Sequence, residues 1–126
     1  MIIIVAPNDF SPLHEYLLSK RIITKKFWLC YPDHLSYFNK ESMSNLLIDL
    51  KFELKAVVAD NPIDLNLLNE NSNYIEDPSK GKKTHYFRVR SDNFLASIDA
   101  HKLLNLYETL GSMGIGRDLN YYCTLR

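Results

Sequence analysis

The sequence predicts an α/β fold, a short sheet with flanking helices, on three observations. Residues 2–6 are Ile-Ile-Ile-Val-Ala, an apolar run that enters Pro7-Asn8-Asp9. Met1 to Val5 carries no polar residue, which suits a strand covered on both faces, as in parallel sheets. Near residue 50 the apolar period changes from helical to two. Met43, Leu46, Leu47 and Leu50 fall at i, i+3, i+4 and i+7, and Phe52, Leu54, Ala56 and Val58 then alternate with charged or small residues. Finally, Leu119 to Leu125 holds two tyrosines, a cysteine and a threonine and reads as a terminal strand.

The elements between follow local rules. Ser11-Pro12 is a helix start, with Ser as cap and Pro at the first helical position, and Leu13, Tyr16 and Leu17 continue it to about Lys20. Residues 21–38 are aromatic and irregular and read as a connecting excursion packed on the body. Asn39 caps the next helix, with Glu41 in its first turn. Asn61-Pro62 starts a short helix through about Leu68. Residues 69–83 read as a polar loop, and His85 to Val89 as a short strand-like run. Residues 92–111 are helical, with Asp99 capping a second segment after a kink, and Gly111, Gly114 and Gly116 close it.

Composition bounds the function. The 126 residues suffice for one small domain, and apolar content of 46% with 24% charge is ordinary for a globular chain. Fifteen acidic and fifteen basic residues balance, so no global field recruits nucleic acid or an anionic membrane. The charge is uneven, however: Asp49 to Asp77 is acidic, and Lys80 to Arg90 carries cations and no acid. Two distant cysteines, Cys30 and Cys123, have no metal-like spacing and suit a reduced, cytoplasmic protein. The opening run is too short for a membrane helix, and no cationic segment precedes it.

No dinucleotide fingerprint, P-loop, HExxH or Gly-x-Ser-x-Gly elbow is present. The Gly114-Ile115-Gly116 joint reads as a connector that needs positive φ. Ligands of doubly wound sheets sit beyond strand carboxyl ends, where Asn8 and Asp9 lie; they either meet a ligand or bond the turn backbone. His34, flanked by aromatics ahead of a capped helix, suits a general base or substrate contact, or else orders its loop, with Tyr37 beside it. Lys82 and Arg88, with Lys80, Lys83 and Arg90, either grip a phosphate-bearing substrate or offset the acidic stretch.

Ile2 to Asn8, and then Pro32-Asp33-His34-Leu35-Ser36-Tyr37-Phe38 leading into a helix and a Phe-containing strand, resemble the carboxyl-terminal half of a class I S-adenosylmethionine-dependent methyltransferase of the bacterial small-molecule type. Asn71 to Lys83 and Arg117-Asp118 look like the tail of methyltransferases found among surface-polysaccharide genes. The resemblance implies a partial Rossmann-like sheet made of the family's last three strands. Residues 119–125 would then lie antiparallel between residues 2–6 and 52–59. It implies a single truncated domain over residues 1–126 that faces a small-molecule or sugar acceptor, with His34 catalytic and Asn8, Asp9, Tyr37, Lys82 and Arg88 binding substrate. The family's glycine-rich turn and the acid after its second strand are absent, so the chain is expected to bind no cofactor or metal alone and to be inactive by itself. Its expected partner is the cofactor-binding half or, through residues 2–5, a second copy. The alternative is a dimeric, non-catalytic binding or assembly module. Neither nucleic acid nor a membrane is an expected partner.

Overall fold

The computed structural model describes residues 1–125. Its elements are β1 (Ile2–Pro7), α1 (Pro12–Ser19), α2 (Lys40–Asp49), β2 (Phe52–Ala59), α3 (Gly81–Ser112) and β3 (Asp118–Leu125). Three 3-10 turns, Ile63–Leu68, Glu70–Ser72 and Pro78–Lys80, carry the chain from β2 to α3.

Local chemistry sets the starts. The Ser11 side chain accepts from the His14 amide and opens α1, with Pro12 in its first turn. Asn39 and Ser42 form a reciprocal capping box at α2. Lys51 takes positive φ and turns α2 directly into β2.

The sheet is β1-β3-β2, and β3 is antiparallel to both neighbours. β1 and β2 are therefore parallel to each other with β3 between them, as expected. Ile4, Tyr121 and Val57 lie across from one another, as do Ala6, Leu119 and Ala59. That face is the main core, closed by Met43 and Leu47 of α2. A second cluster, Leu17, Ile23, Trp28 and Leu67, fastens α1 and the aromatic excursion beside it.

Four expectations are corrected. β1 is not covered on both faces: Ile3 and Val5 are 54% and 61% exposed. The side chains of β1 alternate, so a uniformly apolar run here has one face buried and one open. His85 to Val89 is helix, not strand, because α3 begins at Gly81 and runs through it. Residues 69–83 are a polar loop only in part: 3-10 turns occupy Glu70–Ser72 and Pro78–Lys80, and the helix begins at Gly81. Gly111 does not close α3; it lies within its last turn, against the outer edge of β2. A side chain there would meet the Val57 carbonyl oxygen and come within 2.9 Å of the Ala59 amide nitrogen.

Asp99 does break α3, with extended backbone angles, and its carboxylate accepts from the Lys102 amide to cap the second segment. Gly114 and Gly116 take positive φ at the joint into β3. α3 thus covers the outer edge of β2, whereas the outer edge of β1 is unpaired among the described residues.

Candidate functional site

The carboxyl ends of β1 and β2 and the amino end of antiparallel β3 all meet at one end of the sheet. Asn8 and Asp9 extend β1, Asp60 extends β2, and Arg117 and Asp118 enter β3. The three are tied directly. The Asn8 amide donates to the Arg117 carbonyl, and the Asp60 carboxylate accepts from the Arg117 and Asp118 amides at 2.8 and 3.0 Å. The Asn8 side chain donates to the carbonyls of Gly114 and Gly116 at 2.8 and 3.0 Å and so fixes the glycine joint.

Phe10, next in line, takes φ of 51°, a region bulky residues avoid. This turn sends its ring against Trp28 and Tyr37, with centroids 5.4 and 6.2 Å away. It also starts α1, which carries His14 inward.

His14 is the hub of a buried polar cluster. Its Nε2 donates to Asp64 Oδ2 at 3.1 Å, from the 3-10 turn after β2. Arg117 Nη1 donates to both Asp64 oxygens at 3.0 and 3.3 Å, and the Tyr74 hydroxyl donates to Oδ1 at 2.5 Å. The His14 ring stacks on Trp28, 4.2 Å away and nearly parallel, while Phe27 meets it edge-on. The Arg117 guanidinium lies over the Phe27 ring. Asp64 is thus the acceptor for three donors on three different segments.

The electrostatics follow. Burial alone would raise the Asp64 carboxyl. The His14 hydrogen bond, the Arg117 charge and the Tyr74 hydroxyl outweigh it and hold the carboxyl below its ordinary 3.8. Asp9 and Asp60 go the other way: burial raises both carboxyls above 3.8. Burial, then the Asp64 charge and hydrogen bond, raises the Tyr74 phenol. Asn8 Oδ1, His14 Nδ1 and Trp28 Nε1 are buried here with no hydrogen-bond partner.

Of the residues singled out from sequence, Asn8 and Asp9 lie in this site. Tyr37 borders it through Phe10 and braces its own loop, with its hydroxyl donating to the His34 carbonyl and accepting from the Cys30 amide. His34 is exposed on that loop. Its charge lowers the Asp9 carboxyl, but no hydrogen bond joins them. Lys82 and Arg88 are on α3. Lys82 sits over the Tyr86 ring, and Arg88 bonds His85 and weakly opposes the burial that raises the Asp60 carboxyl. The clamp of His14, Asp64, Tyr74 and Arg117 escaped the sequence reading, because 50 and 53 residues separate Asp64 from His14 and Arg117. The one available signal was a histidine in the first turn of a helix that follows a strand's carboxyl end.

A groove of about 600 Å³ adjoins the site between α1 and α2, lined by Phe10, Glu15, Asn39, Lys40, Asn45 and Gly114 among others. Its size is that of small-molecule sites. No three His, Cys, Asp or Glu side chains gather to hold a metal ion among the described residues. Comparison with known proteins finds no matching family model, no matching curated protein and no matching solved structure.

Proposed function

We propose that the chain is the carboxyl-terminal, substrate-facing part of an S-adenosylmethionine-dependent methyltransferase, inactive without a cofactor-binding half. The strand arrangement carries this reading. An antiparallel β3 between parallel β1 and β2 is the order implied for the last three strands of that Rossmann-like sheet. Support also comes from the gathering of polar residues at the carboxyl ends of β1 and β2, where such sheets place ligands.

The residues present do not fit the methyl donor. Gly111 is packed on β2, and Gly114 and Gly116 spend their carbonyls on Asn8, so no glycine turn is left to cradle a cofactor. The acceptor side is what this chain supplies. The groove beside Phe10 presents carboxylate, ammonium and amide groups, which suit a hydroxylated small molecule such as a sugar. In this reading His34, exposed beside Tyr37 and outside the lining of that groove, takes up the acceptor's proton. Both thiols are free, Cys30 exposed and Cys123 buried, in keeping with a reducing cytoplasm.

Calorimetric titration with S-adenosylmethionine tests the assignment. The chain alone should give no heat of binding, and the chain mixed with the polypeptide encoded immediately upstream should give a saturable signal. Saturable binding to the chain alone, or none in either sample, would overturn it.

The unpaired outer edge of β1 favours a second reading, a dimeric assembly module without chemistry. Met1, Ile2, Ile3 and Val5 are exposed along a strand that carries no charged side chain to repel another strand. A twofold axis would pair β1 with its copy, antiparallel, and merge two sheets into one. Light scattering at micromolar concentration should then give a dimer, and Ile3→Lys should give a monomer or an insoluble protein. A parent chain that is monomeric throughout would exclude this assembly.

A further inference from the structure

The first segment of α3, residues 81–98, is built inside out. The residues it turns toward the body are polar. Thr84 is buried and donates to the Lys80 and Ser72 carbonyls. Arg88 is half-buried, and Asp92 accepts from Asn61 and the Tyr107 hydroxyl. The residues it turns outward are large and apolar: Phe87, Phe94 and Ile98 are 59%, 63% and 70% exposed. They stand at i, i+7 and i+11, which is one stripe along the helix. Nothing among the described residues covers it.

The cations follow the same register. Lys82, Lys83 and Arg90 each lie four residues before an exposed aromatic, Tyr86, Phe87 and Phe94, and so are neighbours of these rings on the helix surface. Lys82 already lies over the Tyr86 ring at 5.8 Å. No acidic residue occurs from Gly81 to Ser91, and the first one after it, Asp92, is engaged by Asn61 and Tyr107.

We propose that this face of α3 docks the protein on an anionic lipid bilayer. An apolar stripe with lysine and arginine beside it is the pattern of helices that lie in the membrane interface. The rings and Ile98 enter the acyl boundary while the cations meet lipid phosphates. Charge selects this occupant over a second copy. A twofold contact through the same face would bring the Lys82, Lys83 and Arg90 of both copies into one interface, with no acid from residues 81–91 to meet them. Overall neutrality argues against membrane attraction only when charge is averaged over the chain, and here it is not. The contact is peripheral, since no helix among the described residues is long and apolar enough to cross a membrane.

Co-sedimentation of the full chain with phosphatidylcholine vesicles, with and without phosphatidylglycerol, tests this. Binding should require phosphatidylglycerol and weaken with salt. Lys82→Glu/Lys83→Glu/Arg90→Glu should reduce it by about a hundredfold or more, at roughly fivefold per charge removed. Phe94→Ser/Ile98→Ser should reduce it by about tenfold or more. These positions are exposed, so circular dichroism and the melting temperature should stay at the parent values. Equal binding to both vesicle types, binding to neither, or unchanged binding by the triple variant would overturn the proposal. So would a parent chain that ignores vesicles and is a dimer that Phe94→Ser/Ile98→Ser makes monomeric, which would assign the face to a second copy.

Discussion

Asp64→Ala is expected to destabilise the protein by about 3 kcal/mol, the level at which buried donors left without an acceptor cost stability. The carboxylate it deletes is buried and serves three donors, the His14 imidazole, the Arg117 guanidinium and the Tyr74 hydroxyl. Alanine leaves a partly buried cation and two further donors without an acceptor. Such a loss is a large share of the roughly 5–15 kcal/mol that holds a domain folded. Asp64→Asn keeps the shape and one acceptor oxygen and should lose less.

The pH dependence separates the charge from the shape. The Asp64 carboxyl is held below 3.8 in the fold, so its stabilisation is present above 3.8 and disappears as pH falls from 3.8 through the lower folded value. Asp9 and Asp60 act in the opposite sense. Their folded values lie above 3.8, so stability declines as pH rises from 3.8 through them. Urea denaturation across this range should show both limbs in the parent protein. Asp64→Asn should flatten the acid limb alone. An unchanged acid limb, or a loss below about 1 kcal/mol in Asp64→Ala, the level of an exposed pair, would show that Asp64 fastens nothing.

Gly111→Ala is the second large effect, expected to cost about 3 kcal/mol, at the upper end of overpacking losses. The sign is informative, because glycine to alanine inside a helix ordinarily gains close to 1 kcal/mol. Here the new methyl group would strike the Val57 carbonyl oxygen and crowd the Ala59 amide. Both are backbone atoms of β2 and cannot rotate away. Either α3 lifts from the strand or the strand edge bends. Thermal melting of the variant reads the cost directly, and a melting temperature at or above that of the parent would mean that α3 has slack against β2.

The capped starts at Ser11 and Asn39 and the break at Asp99 were legible because each depends on residues within four positions. The strand order came instead from the family resemblance. The first segment of α3 looks like loop and strand-like run in the sequence because it turns Thr84, Arg88 and Asp92 inward, so no inward apolar periodicity marks it as helix. At the site, Asn8 and Asp9 were found from their place after a strand. The clamp around Asp64 joins positions 14, 64, 74 and 117, and nothing in the spacing of those residues announces that they meet.

Every backbone pairing in the sheet passes through β3, because β1 and β2 bond to it and not to each other. This sets a timetable for a chain growing on a ribosome. β1 leaves first, yet the strand that pairs with Ile2 to Pro7 is the stretch from Asp118 to Cys123. At roughly 5–20 residues per second, the nascent chain carries an unmatched isoleucine-rich strand for several seconds to some twenty seconds before its partner is made. The sheet thus waits for β3 by topology, and a chain arrested before residue 118 has no sheet at all, only helices and two unmatched strands available to any neighbour.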